Sequence, residues 1–334
     1  MAIILIIGLG AAKPSTRLRM LPLADHLRSR GHGVSLLDLP RSPAGRLGLL
    51  RTAAKHDAVV LQKKLFPVAF VKLLRLANPR LVFDVDDAVM FHELERGQPV
   101  TGRYFQRFAA VAAVSRIVVA GNAYVADFAR AAQDKGHGDV AVLPTPIDTD
   151  SLTAKPGDTP NAGVVAGWIG TKGNLHQLAA IAPALRSVAA AVPGFRLRIV
   201  ADAGIEIDGL AVETQPWRAN EEADALRGFD IGLMPLADSL WNRGKGGYKL
   251  LQYMAAGLPA VASPVGINAD IVRHGENGLL ARSLADWQEC LLKLAGDPEL
   301  RRRLGQAARG TIESEYALTG YLERYARLIE GCLA

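Results

Sequence analysis

Only two cysteines, Cys290 and Cys332, occur in this chain of 334 residues. So few exclude a disulfide scaffold and any cysteine-based zinc module. Aromatic residues are scarce as well, at 6%, so the 49% hydrophobic share must build its core from Ala, Leu, Val and Ile. No stretch approaches the roughly 18 consecutive apolar residues that a membrane-spanning helix needs. The apolar start, residues 2–7, is short and has no basic residue ahead of it, which fits a first buried strand rather than a secretory leader. Nor is any tract biased enough to remain unfolded, since charged residues make up an ordinary 22%. A soluble, cytoplasmic protein of two α/β lobes is expected.

The charge that is present is uneven. Residues 1–150 carry 20 Lys and Arg against 13 Asp and Glu, whereas 151–334 carry 19 against 20, so the first half holds all of the net +6. Arg41, Arg46, Arg51, Lys55, Lys63, Lys64, Lys72, Arg75 and Arg80 alternate there with Leu47, Leu49, Leu50, Phe66, Phe70, Val71, Leu73 and Leu74. Such a face suits an anionic membrane surface, the alternative being ordinary solvated lysines and arginines. Nucleic acid fits poorly, because there is no recognition motif and few aromatics lie near the charge.

Short β-branched runs alternate with segments of helical length. Residues 3–7, 33–37, 58–61, 81–83, 116–119 and 140–143 read as strands, and after a Pro-, Asp- and Thr-rich stretch the pattern restarts at 164–168, 196–200, 211–213, 231–234, 260–262 and 279–280. Between the first two strands, Met20, Leu23, Ala24 and Leu27 share one helical face, with Pro22 predicting a start near Leu21 or a kink. This alternation predicts two parallel sheets, each covered on both faces. The expected domains are residues 1–150, a linker over 151–162, a second lobe over 163–316, and a last helix over 317–334 that packs back on the first lobe. Two open parallel sheets joined by a linker predict a cleft, with ligands at the carboxyl ends of strands.

The most informative segment runs Trp241-Asn242-Arg243-Gly244-Lys245-Gly246-Gly247-Tyr248-Lys249 and on through Gln252-Tyr253-Met254-Ala255-Ala256-Gly257-Leu258-Pro259. Glycines let backbone amides approach an anion, a helix starting near Tyr248 would aim its N-terminal amides at it, and Lys245 adds a full charge. Gly8-Leu9-Gly10 closes the first strand and is a weaker phosphate candidate, since it lacks the third glycine of a dinucleotide fingerprint. Asp84, Asp86 and Asp87 follow strand 81–83. They suit acceptor hydroxyls or a base, a divalent metal, or the capping of a helix. His92 lies on the same loop. Arg17 and Arg19 suit an anionic ligand or a solvated helix face.

The run from Lys249 to Pro259, with Gly266, Asn268 and Gly275-Glu276-Asn277-Gly278, resembles the donor-binding core of the retaining glycosyltransferases of family 4. Pro14-Ser15-Thr16-Arg17-Leu18-Arg19, Asp84-Val85-Asp86-Asp87, residues 143–148, Gly167-Trp168-Ile169-Gly170 and 229–235 also fit one branch of that family. The resemblance implies the GT-B fold, two Rossmann-like, doubly wound parallel-sheet domains facing a cleft. It also implies sugar transfer with retention from a UDP-, GDP- or ADP-sugar to a hydroxyl acceptor, lipid-linked or destined for a cell-envelope glycan, without a cofactor or metal. Donor binding is then expected at Gly10, Gly170, Lys172, Trp217, Gly244, Lys245, Gly246, Gly247 and Gln252. Lys172 is assigned to the pyrophosphate, and Trp217 either meets the base or packs under its loop. Catalysis would involve Lys172, Asp86 and Asp87, and acceptor binding Arg17, Arg19, Asp84 and His92. The basic first lobe becomes the acceptor lobe, peripheral at the inner face of a membrane.

One departure stands out. The family usually carries glutamates at the positions of Gly244 and Gln252. Gln252 can still bond a ribose hydroxyl, because an amide both donates and accepts. Gly244 has no side chain to hold a sugar, which leaves open a non-catalytic nucleotide-sugar-binding protein or a nucleotide-sugar epimerase of the same fold.

Overall fold

A computed structural model describes residues 1–40, 42–91, 102–133, 138–154 and 163–334, the side chain of Pro43 excepted. His92, Arg41 and the linker's residues 155–162 therefore lie outside the described residues. The chain divides into two compact units. The first comprises Met1–Pro146, Ser239–Gly246 and Leu318–Ala334; the second comprises Ile147–Asp238 and Gly247–Ala317.

The first unit is built on strands β1 (Ile3–Gly8), β2 (Gly33–Asp38), β3 (Ala58–Gln62), β4 (Leu81–Val85), β5 (Ile117–Ala120) and β6 (Asp139–Val142). They form one parallel sheet in the order β2-β1-β3-β4-β5-β6. The four central strands β1, β3, β4 and β5 are buried on both faces, which is why they are continuous apolar runs rather than alternating ones, whereas the edge strands β2 and β6 are partly exposed. Leu5 and Ile7 enter the core on one face with Val59, Leu61, Leu81 and Phe83. Ile4 and Ile6 enter the other with Val60, Val82 and Val119. That second face is covered by Met20, Leu23, Ala24 and Leu27 and by Tyr321, Tyr325 and Ile329 of the terminal helix Leu318–Leu333.

Pro22 sits in the first turn of helix Leu21–Ser29, directly after a π turn at Thr16–Met20. A proline lacks the N–H that a continuous helix would require, and the wide turn absorbs that loss.

The second unit repeats the plan with β7 (Val165–Ile169), β8 (Arg196–Val200), β9 (Ala211–Gln215), β10 (Ile231–Met234), β11 (Ala260–Ala262) and β12 (Leu279–Leu280). Their parallel order is β12-β11-β10-β7-β8-β9. Two glycines here are set by packing. A Cβ on Gly167 would lie 2.0 Å from the Phe229 ring, and one on Gly232 would lie 2.4 Å from the Tyr253 ring. Both aromatics can therefore lie against the sheet only because those strand positions are bare. Among the described residues no helix is long and apolar enough to cross a membrane.

The second lobe expected over 163–316 differs in two respects. It begins at Ile147, so 147–150 do not belong to the first lobe. Ser239–Gly246, in its middle, packs with the first unit, because Leu240 and Trp241 lie against that unit's apolar core.

Candidate functional site

In each sheet the chain leaves in opposite directions from two neighbouring strands, and ligands of open α/β sheets collect at the carboxyl ends beside such a point. In the first unit these strands are β1 and β3. Gly10, after β1, has φ 104, a left-handed conformation that favours glycine. Thr16 donates from its hydroxyl to Gln62 Oε1 at 2.7 Å, joining the start of the first helical segment to the end of β3.

Behind that edge lies a buried ion pair. Arg19 donates to both oxygens of Asp84, from Nε at 3.1 Å and from Nη2 at 2.6 Å, and from Nη1 to the Leu143 carbonyl at 2.9 Å. Tyr325 donates its hydroxyl to Asp84 Oδ2 at 3.1 Å, and the Tyr321 ring lies 5.3 Å from the guanidinium. Burial alone would push Arg19 down, but Asp84, with Tyr321 and Asp86, more than reverses this and holds it well above its ordinary value. Arg19 and Asp84 were both expected to meet an acceptor. Each is 0% exposed and bound to the other, so neither side chain is open to an acceptor.

Asp86 and Asp87 follow β4 and point elsewhere. The Lys63 ammonium lies 2.9 Å from Asp86 Oδ1, bonds Asp87 Oδ2, and is 3.5 Å from Ser15 Oγ. Among the described residues Lys63 is the one non-glycine with positive φ, at 54°. A lysine held there costs roughly 1–2 kcal/mol. Its N–H donates to the Asp84 carbonyl at 2.6 Å, which fixes the turn. Lys63 had been grouped with the surface charge. Its ammonium is instead neutralised at the end of β3, a role signalled only by a lysine directly following a buried strand. The aspartates thus divide between Arg19 and Lys63. Among the described residues, no group of three or more His, Cys, Asp or Glu could hold a metal ion.

The glycine-rich stretch is anchored within the same unit. Asn122 caps helix Ala123–Ala132 by accepting from the Val125 N–H at 2.9 Å, and its Nδ2 donates to the Gly244 carbonyl at 3.0 Å. Asn122 escaped notice in the sequence because capping alone accounts for an asparagine at that point. A Cβ on Gly244 would stand 2.1 Å from the Ala88 Cβ. The missing glutamate therefore has a steric reason, since no side chain fits at that position. Gly246 passes near Asp86, a Cβ there falling 3.6 Å from the Asp86 carbonyl. Lys245 is close enough to lower the Asp87 pKa electrostatically. Arg17 is exposed on the π turn.

In the second unit the diverging strands are β7 and β10. Tyr253 bridges them, accepting from the Ile169 N–H at 3.0 Å and donating to the Leu233 carbonyl at 3.2 Å. Gly170 ends β7, where a Cβ would meet the Trp168 ring at 2.4 Å. Lys172 follows on an exposed turn, its N–H donated to Asp202 Oδ1 at 2.9 Å. Gly247 has φ 64 and starts helix Tyr248–Ala255, in which Gln252 is buried and Lys249 stacks 5.1 Å from the Trp168 ring centroid. A Cβ on Gly247 would crowd Ile271 at 2.7 Å, so glycine is required there by both conformation and space. Trp217 follows the edge strand β9. It is 39% exposed and donates Nε1–H to Glu222 at 2.7 Å.

Two such units, each with polar residues gathered at the carboxyl ends of a parallel sheet, have the GT-B fold. Residues 161–297 match the family described as Glycosyl transferases group 1. Over 117 residues it is 35% identical to a D-inositol 3-phosphate glycosyltransferase from Pseudarthrobacter chlorophenolicus, covering 34% of this chain and 26% of that relative. The match thus spans about a quarter of the relative's length. Among solved structures, HepE from Anabaena, in complex with UDP and glucose, superposes with a TM-score of 0.74 at 13% identity, over 99% of this chain and 100% of that one. A glycosyltransferase from Rickettsia africae gives 0.75 at 12% identity, over 99% and 98%. Likeness at such identity concerns the fold.

Proposed function

We propose that the chain is a retaining glycosyltransferase that moves a hexose from a nucleotide-sugar donor, UDP-linked, to a hydroxyl acceptor. The family match over residues 161–297 carries the reading, because that stretch holds Lys172, Trp217 and the run from Gly244 to Gln252. The HepE complexes support uridine as the base. In the reaction the bond from the anomeric carbon to the β-phosphate oxygen breaks and one to the acceptor oxygen forms. Negative charge grows on the leaving phosphate, and a fixed cation such as Lys172 stabilises that change more than the ground state. Lys245 and the amides at the start of helix Tyr248–Ala255 add to it. Gln252 bonds the ribose, and Trp217 meets the base. Asp86 and Asp87 receive the acceptor hydroxyl, and Arg17 meets an anionic part of the acceptor. These cations supply the required charge in this reading, with no metal assigned.

The acceptor is lipid-linked in the same reading, a cell-envelope glycan precursor collected at the cytoplasmic face of a membrane. Its support is a face on helices Pro43–Ala53 and Val68–Ala77, where Leu47, Val68, Leu73 and Leu76 are exposed beside Arg51 and Lys72. Apolar side chains next to cations suit an anionic bilayer.

The test incubates the protein with UDP-, GDP- and ADP-sugars, with and without lipid acceptors, and measures free nucleotide. Acceptor-dependent release from a UDP-sugar is expected, with Lys172→Ala slowing it about 100-fold or more, as for loss of an oxyanion contact. Nucleotide binding with no release from any donor would sink the transferase reading in favour of a binding protein. Interconversion of the donor sugar without acceptor would indicate an epimerase. Undiminished turnover by Lys172→Ala would remove that residue from the mechanism.

A further inference from the structure

The Lys63 cluster asks more of the backbone than the fold requires. A non-glycine residue in the left-handed region persists only where its surroundings over-determine it, and such residues gather at functional sites. Here the turn brings one ammonium against two carboxylates that differ in access. The Asp86 side chain is 11% exposed and that of Asp87 is 31%. Behind Asp86 stand Arg19 and Asp84, with Tyr321 and Tyr325 from the terminal helix; beside it stands Ser15; facing Asp87 is Lys245. Burial works against ionisation of Asp86, but Lys63 and Arg19 outweigh it and hold its carboxyl below the usual range. Burial, with the neighbouring Asp86 charge, pushes Asp87 up. The pair is thus split into a fixed anion and a more open carboxyl.

We propose that Lys63 is a positioning residue of the acceptor site: it holds Asp86 as a counter-charge and, bonded to Asp87 Oδ2, leaves the other oxygen of Asp87 to accept the hydrogen bond of an acceptor hydroxyl. This rests on the assignment of Asp86 and Asp87 to the acceptor.

The test compares wild type with K63M, K63R and K63G in acceptor kcat/KM across acid and neutral pH. In K63M the acid limb is expected to move up by about one to two pH units, since loss of a cation a few ångströms away lets the carboxyls keep their protons longer. The donor KM should stay in place, and K63R should restore the wild-type profile. K63G removes the charge and relieves the backbone, so it should show the same movement even if K63M does not fold. An unmoved acid limb in both overturns the inference and leaves the transferase reading standing. Absence of transfer by wild type instead sinks that reading, and Lys63 is then judged on stability. Asp86 has a lowered folded pKa, so its stabilising contribution is present above the unfolded value, near 4, and is lost as pH falls through the folded one. The gap in unfolding midpoint between wild type and the charge-removing variants must therefore shrink on acidification. A gap independent of pH overturns the inference in that case as well.

Discussion

Removing one partner of the Arg19–Asp84 pair leaves the other charged where no water screens it. A buried charge stripped of its counter-ion costs about 3–5 kcal/mol, whereas replacing both partners by apolar groups of similar volume is often nearly neutral. R19M should therefore lower the unfolding free energy by about that much, and R19M/D84L should recover most of it. Urea titration of the three proteins reads this directly, and equal loss in the single and double variants would contradict it. The tyrosine hydroxyl that completes the Asp84 shell comes from position 325, so the pair is assembled late along the chain.

Asn122 performs two tasks at the start of one helix, and a near-isosteric change separates them. In N122D an oxygen still accepts from the Val125 N–H, but nothing donates to the Gly244 carbonyl, and two oxygens now face each other. Stability should fall by about 1–3 kcal/mol, and affinity for UDP should fall as well, although the cap is kept. N122S also keeps the cap and loses the donor, without the facing oxygens, so it should show a smaller loss of affinity. Calorimetry on the three proteins checks it; UDP affinity unchanged in both variants would mean that capping is the whole role. Elements of this size were largely legible in the chain. Each strand expected from a β-branched run lies within two residues of an observed one, because a sheet covered on both faces leaves continuous apolar segments. The position of Asp86 and Asp87 was legible for a related reason, since residues directly after such a strand stand at its carboxyl end. Arg19 and Asp84 were misplaced because they pair across 65 positions, and no local pattern distinguishes a buried arginine from a solvated one. Lys63 was misplaced because its role follows from a backbone turn that no side-chain periodicity encodes.

At the scale of the molecule the first-half charge acquires a narrower address. Lys63 is neutralised internally, which leaves Arg51, Lys55, Lys72 and Arg80 as exposed cations near Leu47, Leu73 and Leu76. Each such cation is worth about 1 kcal/mol at an anionic surface and is screened by salt. Co-sedimentation with phosphatidylserine vesicles should therefore be strong at low salt and weak at high salt. It should fall about 100-fold or more when these four are changed to glutamine. Salt-independent binding, or binding unaltered by the substitutions, would make this charge ordinary surface. The chain also passes between its units more than once, since Ser239–Gly246 and Leu318–Ala334 both return to the first. Unity of packing and unity of descent therefore part company: the stretch matched by the family, 161–297, carries eight residues that fold with the other body. A chimera that exchanges this stretch with a relative would import part of its neighbour's wall. Its first casualty would be the seat between Ala88 and Gly244, where a side chain has no room. Grafts of this kind must therefore carry residues 86–88 and Asn122 along with 161–297.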